Sequence, residues 1–422
     1  MTVETQSNTP LVVVGAGAAG LMAAIWAGRA NPQRKIIVLD GASKIGKKIL
    51  IAGGGRCNVT HYEVTEDAYA GASRNAIRKV LKQFDVSQTI AFFAELGVEL
   101  KREETGKLFP TTDKAQTVLD ALVDEVSRYG DIRTRHRVES VQKVTGGFVV
   151  SGNFDDIVAD RVVLATGGKS IPKTGSDGGG YQIAMALGHT TTEQIFPALV
   201  PLTIPRDHWF RDLKGITLDV TVELWSSAGK RLASFTNSLL LSHFGLTGPA
   251  VLDISRYLLD VRSTDLDAQL TINWFPKQNS ESFSALLKQE KKRSALQLFR
   301  SHLPDRLARS LLATVFEDLD VSRDVKMVRR EQLPTNQLTK LERRRLTNTA
   351  TRFIAPIVGD RGFDFAEVTA GGVPLTEVHL KTMASRVCDG LHLCGEIFDD
   401  DGRIGGFNFQ WAWASGYLAG HG

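Results

Sequence analysis

Three textures of apolar and polar positions succeed one another along this chain. Leu11-Val12-Val13-Val14 and Ile36-Ile37-Val38-Leu39 are short unbroken apolar runs, as expected of strands buried on both faces. The Ala-rich run between them, reaching Ala30, has helical composition, so this stretch predicts strand, helix, strand. Ile77, Val80, Leu81, Phe84 and then Ile90, Phe92, Phe93, Leu96 recur at helical spacing within Asn75 to Leu100. Ala115 to Tyr129 predicts a further helix, with Thr112 or Asp113 as N-cap. Ile132 to Ser140, Val144 to Ser151 and Ile157 to Ala165 predict strands, and a short helix is expected from Tyr181.

The second texture begins near Leu202. Thr217 to Trp225 alternates apolar and polar residues, Leu232 to Leu241 and Ala268 to Trp274 continue the pattern, and Ser282 to Leu346 turns Leu-rich and basic with helical periodicity. The third, from about Thr347, returns to short strands and glycine turns, including Ala366 to Val373, Leu391 to Glu396 and Gly402 to Gly422. Four segments are therefore expected: 1–200, a β-rich 201–280, a helical 281–346, and 347–422. The fold class is α/β, with a Rossmann-like dinucleotide-binding core.

Composition narrows the picture little. A chain of 422 residues, 42% hydrophobic and 23% charged, can build more than one core. Three cysteines, Cys57, Cys388 and Cys394, give neither a disulfide framework nor a Cys-rich zinc site, and no metal is expected. Leu11 to Gly28 lacks any charge, but no Lys or Arg precedes it and its glycines have phosphate-binding spacing, so a cytoplasmic chain without a membrane segment is expected. The net charge of +4 is uneven: Glu281 to Ala350 holds fifteen Lys/Arg against nine Asp/Glu. A solvated helical face accounts for this excess better than a nucleic-acid surface. Oligomeric state has no signature in the sequence.

The chemistry begins at Gly15-Ala16-Gly17-Ala18-Ala19-Gly20, with Asp40 twenty positions after Gly20. Gly15 permits a tight turn, Gly17 lets backbone approach a pyrophosphate, and Gly20 lets helix and strand pack closely. Phosphates would meet the unpaired N–H groups at the helix N-terminus, and Asp40 would accept the ribose hydroxyls. Gly53-Gly54-Gly55-Arg56-Cys57-Asn58 offers backbone to a flat or anionic ligand, followed by a charge and a hydrogen-bonding amide. A plain flexible loop is the alternative there. Thr166-Gly167-Gly168 is a second backbone approach to the nucleotide, and Gly405-Gly406-Phe407-Asn408-Phe409 opens a helix whose N–H groups could face a developing negative charge. His243, in a Gly/Pro-bounded loop, is the candidate proton carrier, with a structural role for the loop as its counter-reading. Cys57 has no second cysteine nearby and is expected to be a packed thiol rather than half of a redox pair. Glu396 with Asp399 to Asp401 reads as an acidic turn.

Together these stretches resemble the flavoprotein family that includes aminoacetone oxidase and the bile-acid reductase BaiN, within the glutathione-reductase-like two-dinucleotide-binding superfamily. The resemblance rests on GAGAAG at Gly15, GGGRCN at Gly53, GKLFPTTDKA at Gly106, ATGG at Ala165, PKTGSDGGGY at Pro172, SHFGLTGP at Ser242, TAGGV at Thr369 and GEIFDDDGRIGGFNFQWAWASG. It implies an FAD domain assembled from both ends of the chain, with an inserted β-barrel and helical piece. Carried over, Gly15, Gly17, Ala18, Ala19, Gly20 and Asp40 would hold the adenosine diphosphate half of FAD. Lys48, Gly54, Gly55, Arg56, Cys57 and Asn58 would line the pyrophosphate and flavin, Val138 the adenine, and Thr166, Gly167 and Gly168 the nucleotide. Glu396 would meet the ribityl chain, and Gly405, Gly406, Phe407, Asn408 and Phe409 the flavin ring. Ala52, His61, Lys107, Ser242 and Phe407 depart from the family pattern, and leave the substrate open.

The expected activity is FAD-dependent hydride transfer to or from a small organic substrate. Reduction of an activated C=C bond, with NAD(P)H or another donor, is favoured over an O2-using amine oxidase of aminoacetone-oxidase type. No second GxGxxG unit supplies a dedicated nicotinamide domain. A non-catalytic flavin module and an RNA-modifying flavoenzyme are the remaining alternatives.

Overall fold

The computed structural model describes residues 9–290, 292–316 and 331–422. The chain starts with β1 (Leu11–Val14), α1 (Ala18–Ala30), β2 (Ile36–Leu39) and α2 (Lys47–Gly55). β1 and β2 are wholly buried, as their unbroken apolar runs require, and α1 is buried on nearly every face. There follow β3 (Thr60–His61), β4 (Tyr69–Gly71), β5 (Gly130–Arg133), β6 (Val138–Val144), β7 (Arg161–Leu164) and α3 (Gly179–Ala186). Two expectations need correction. The strand expected over 132–140 is two strands in two sheets, because Arg135 adopts a left-handed conformation (φ 59°) and Asn153 clamps the turn through Arg135 O and Arg137 N. Asp113 does not cap the following helix. Its carboxylate turns to Lys101 and Arg56, and the helix Ala115–Val126 begins without a side-chain cap.

The middle of the chain forms a separate compact unit, Leu199–Gly362. Its sheet runs β13-β12-β9-β10-β11-β8-β14, built from β8 (Leu202–Thr203), β9 (Thr217–Trp225), β10 (Arg231–Leu241), β11 (Gly245–Thr247), β12 (Gln269–Asn273), β13 (Phe353–Ile354) and β14 (Gly359–Asp360). The two edge strands are consecutive in sequence: Ala355 N–H donates to Leu270 O at one edge and Val358 N–H to Thr203 O at the other. One extended segment thus serves both edges and closes the sheet on itself. α4 (Pro249–Val261) and α5 (Lys340–Thr351) pack with it, and Phe210, Trp274, Phe283 and Phe299 lie in one shared core. The β-rich 201–280 and helical 281–346 stretches are therefore parts of one body. Its second boundary falls at Phe363 rather than residue 347, because β13 and β14 still belong to this sheet. Part of the basic helical stretch, 291 and 317–330, lies outside the described residues.

The other unit, Met1–Ala198 with Phe363–Gly422, is completed by β15 (Val368–Ala370), β16 (Val378–His379), β17 (Ala384–Ser385), β18 (Leu391–Leu393), β19 (Asp400–Gly402) and α6 (Phe407–His421). Its main sheet is β16-β17-β18-β7-β1-β2-β5, parallel from β18 to β5, with the β16-β17 hairpin antiparallel at one edge. α1 and α6 pack closely because both carry small residues there. A methyl at Gly416 would lie 2.5 Å from Ala19 O, and one at Gly420 2.2 Å from Ala23 O. Among the described residues, no helix is long and apolar enough to cross a membrane.

Candidate functional site

The end of β1 is the focus of the larger unit. Gly15 turns the chain out of the strand at φ 105°, and its N–H donates to Leu39 O (2.8 Å). The three fingerprint glycines divide their tasks. A Cβ at Gly15 would lie 2.4 Å from Ala165 O and one at Gly20 1.9 Å from Gly15 O, so both are required by packing. A Cβ at Gly17 would meet nothing within 4 Å, which leaves the start of α1 open to a ligand. Asp40, one residue past β2, accepts from Ala16 N–H (2.9 Å) and Ala42 N–H (2.8 Å), fixing its carboxylate beside that opening.

The Gly53–Gly55 turn lies at the end of α2, with all three glycines left-handed. Gly54 again faces open space, and the nearest atom to a Cβ at Gly55 is 3.9 Å away. Arg56 leaves this turn, pairs with Glu103 (2.6 Å) and lies over the Phe109 ring (4.0 Å). Cys57 is buried, and burial pushes its thiol up to about 12, so it is a packed neutral group and no nucleophile. Asn58 Oδ1 and Thr166 Oγ1 are buried without hydrogen-bond partners.

α2 also delivers Lys48, whose ammonium meets Glu396 (2.7 Å) and Ser170 Oγ (2.7 Å); Ser170 Oγ is in turn 2.8 Å from Glu396 Oε1. The Thr369 N–H donates to the same Glu396 oxygen (3.0 Å). Three segments remote in sequence thus converge on one carboxylate. Ser170 and Thr369 were not anticipated as members of this group, since nothing local marks either as a partner of Glu396. Gly168 is forced to be small by this cluster: a methyl there would lie 2.5 Å from Thr369 Oγ1 and 3.0 Å from Glu396 Oε1. Gly167 is constrained by Ser176 in the same way. Val138 opens β6 and is buried.

At the tail, Gly405 and Gly406 turn the chain into α6, whose first-turn N–H groups, those of Phe407, Asn408 and Phe409, have no partner within the helix. The Asn408 side chain is not free for a ligand: its Oδ1 accepts from Gly402 N–H and its Nδ2 donates to Gly402 O, each at 2.8 Å. Phe407 stacks on His61 (4.9 Å), and Phe409 on Trp413 (5.6 Å). Gln410 is buried, accepts from Thr60 and Thr89 hydroxyls and donates to Phe84 O, which fixes the helix start. The acidic stretch at Asp399 to Asp401, expected to be a turn, is in part a strand: Asp400 and Asp401 lie buried in β19. Open backbone at Gly17 and Gly54, two orphaned polar atoms, a carboxylate at Asp40 and the helix N-terminus at Phe407 fit the donor and acceptor pattern of FAD.

His243 lies in the inserted unit, at the exposed tip between β10 and β11. It is held near Ser242 Oγ (3.4 Å) and beside the Phe244 ring (5.1 Å).

Residues 9–422 match the model of the family described as HI0933-like protein Rossmann domain. The chain belongs to that family. Its members include the 3-dehydro-bile acid delta(4,6)-reductase of Clostridium scindens, 34% identical over 411 residues that span 97% of each chain. The ribosomal RNA dihydrouridine synthases of Haemophilus influenzae and Escherichia coli are 33% and 32% identical, each over 96% of both chains. With this family and this site, the chain is a flavin-dependent oxidoreductase.

Proposed function

We propose that this protein reduces a C=C bond conjugated to a carbonyl group. The observation that supports the reading is the chemistry shared by relatives aligned along nearly the whole chain. A delta(4,6)-reductase of a 3-dehydro bile acid and a dihydrouridine synthase both saturate a carbon–carbon bond polarised by a carbonyl. A bound flavin supplies the hydride for such a step. The chain's own residues do the rest. Gly17 and Gly54 admit the cofactor's backbone-contacting parts. Lys48, Ser170 and Glu396 orient its polyol portion. The Phe407–Phe409 N–H groups offer the positive helix end to charge developing on the ring. His243 is assigned as donor of the proton that completes the reduction.

The bearer of the C=C bond is assigned to a small-molecule enone, with a uracil base in RNA as the second reading because two of the relatives named act on ribosomal RNA. Anaerobic spectroscopy tests both. NADH or NADPH is expected to bleach the bound flavin, and an enone to restore it without oxygen. Restoration by a uridine-containing ribosomal RNA fragment, and not by enones, would move the assignment to RNA. Bleaching by amines, followed by recovery in air with peroxide formed, would overturn the reductase reading.

A further inference from the structure

Asp400 is 3% exposed, and neither carboxylate oxygen has a hydrogen-bond partner. Tyr181, 3% exposed on α3, likewise has an unpartnered hydroxyl. The groups that feel the charge of Asp400, or whose charge it feels, are Tyr69 on β4, Tyr181 on α3, and the acids Glu396, Asp399 and Asp401. Lys48, the cation nearest in this cluster to Glu396, is paired with that carboxylate (2.7 Å). These groups adjoin two parts of the candidate flavin site. Glu396 carries the Lys48–Ser170 cluster, and the Tyr69 hydroxyl donates to Phe407 O (2.7 Å) at the first residue of α6. β19 itself ends at Gly402, which Asn408 clamps.

We propose that Asp400 is a buried proton site coupled to the oxidation state of the bound flavin through its neighbours Glu396 and Tyr69, the latter bonded to the start of α6. The inference rests on the flavin reading above. Burial first, then the negative charges of Asp401, Asp399 and Glu396, hold its carboxyl well above the usual carboxylate range, so the neutral acid is the favoured form. Two electrons from a reductant such as dithionite and one proton from solvent leave the flavin one negative charge richer. Where Asp400 is ionised beforehand, that added charge raises its proton affinity, and it takes one further proton from solvent, becoming the neutral acid. Over that pH window reduction consumes two protons per two electrons rather than one; reciprocally, ionised Asp400 makes the flavin harder to reduce.

The test is a spectroelectrochemical titration of the FAD-loaded protein between pH 5 and 10, beside Asp400→Asn. The wild-type midpoint potential should fall with pH at the one-proton slope, double that slope over one interval, and then return. Asp400→Asn should keep the one-proton slope throughout. An unchanged slope in the wild type, or the same doubling in Asp400→Asn, overturns the proposal. Should Asp400→Asn fail to fold, reduced-minus-oxidised infrared difference spectra of the wild type decide. A protonated-carboxyl band that gains intensity on reduction and shifts in D2O supports the proposal, and its absence sinks it. A colourless protein that takes up no FAD overturns the flavin reading itself, whereas a yellow one with a uniform slope overturns this inference alone.

Discussion

Gly17 and Gly20 look interchangeable in the sequence and differ in the fold. Gly17→Ala, whose Cβ would meet nothing, should leave the apoprotein's stability within about 0.5 kcal/mol while weakening FAD binding tenfold or more. Gly20→Ala drives a methyl into Gly15 O and should cost about 3 kcal/mol, so thermal melting with and without FAD separates the two. Asp400 has its own signature. Its folded-state affinity for a proton is raised, so the folded form is favoured at low pH and loses stability as pH climbs above the ordinary aspartate range. Asp400→Asn should therefore stabilise the protein by about 1–3 kcal/mol near neutral pH, with the gain shrinking toward pH 4 in denaturant melts at each pH. His392 works in the opposite direction. Burial first, then the charge of Arg161, lowers it to about 3, so protonation between its ordinary value and that point erodes the fold as pH falls. The tight turn from Gly15 to Gly20, with Asp40 beside it, was legible because that motif is local and its spacing sets the packing. Asp399 to Asp401 read as a turn, since nothing local reveals the strand pairing of β19 with β4.

At the scale of elements, α6 is the piece on which the larger unit depends. Its Gly416 and Gly420 seat it against α1 at Ala19 and Ala23, and α1 begins at the fingerprint turn. Gly420→Val should therefore lower the melting temperature, by about 1–3 kcal/mol of stability, and reduce FAD retention in the same variant, read by gel filtration and flavin absorbance. Retention of full FAD occupancy in a destabilised variant would separate α6 packing from the site. The four-residue spacing of these glycines was visible in the sequence, but the partner helix, nearly four hundred positions upstream, was not. The split of 130–144 into two strands was hidden for a similar reason, because Asn153 supplies the clamp from outside the segment.

At the scale of the molecule, two hydrophobic cores divide the chain, one per unit. Ala198 pairs with Val368 in a short antiparallel ladder, so the two ends of the larger unit already lie side by side where the insertion leaves and returns. Replacing 199–362 by a short Gly/Ser linker should give a folded, yellow protein that dithionite bleaches reversibly and that no longer reduces an enone. Failure to fold would show that the larger core is not self-sufficient. The change of texture near Leu202 was legible, whereas the return at Phe363 was not, since β13 and β14 are only two residues each and complete the other unit's sheet.

The helix that opens at Gly406 follows the whole inserted unit along the chain, while the turn at Gly15 to Gly20 precedes it. During synthesis that turn must wait, with its partner surface on α1 bare, through the translation of the whole inserted unit. Closure of the candidate cofactor site thereby waits for residues that come after the insertion, and a chain stalled before residue 407 would hold only its front half.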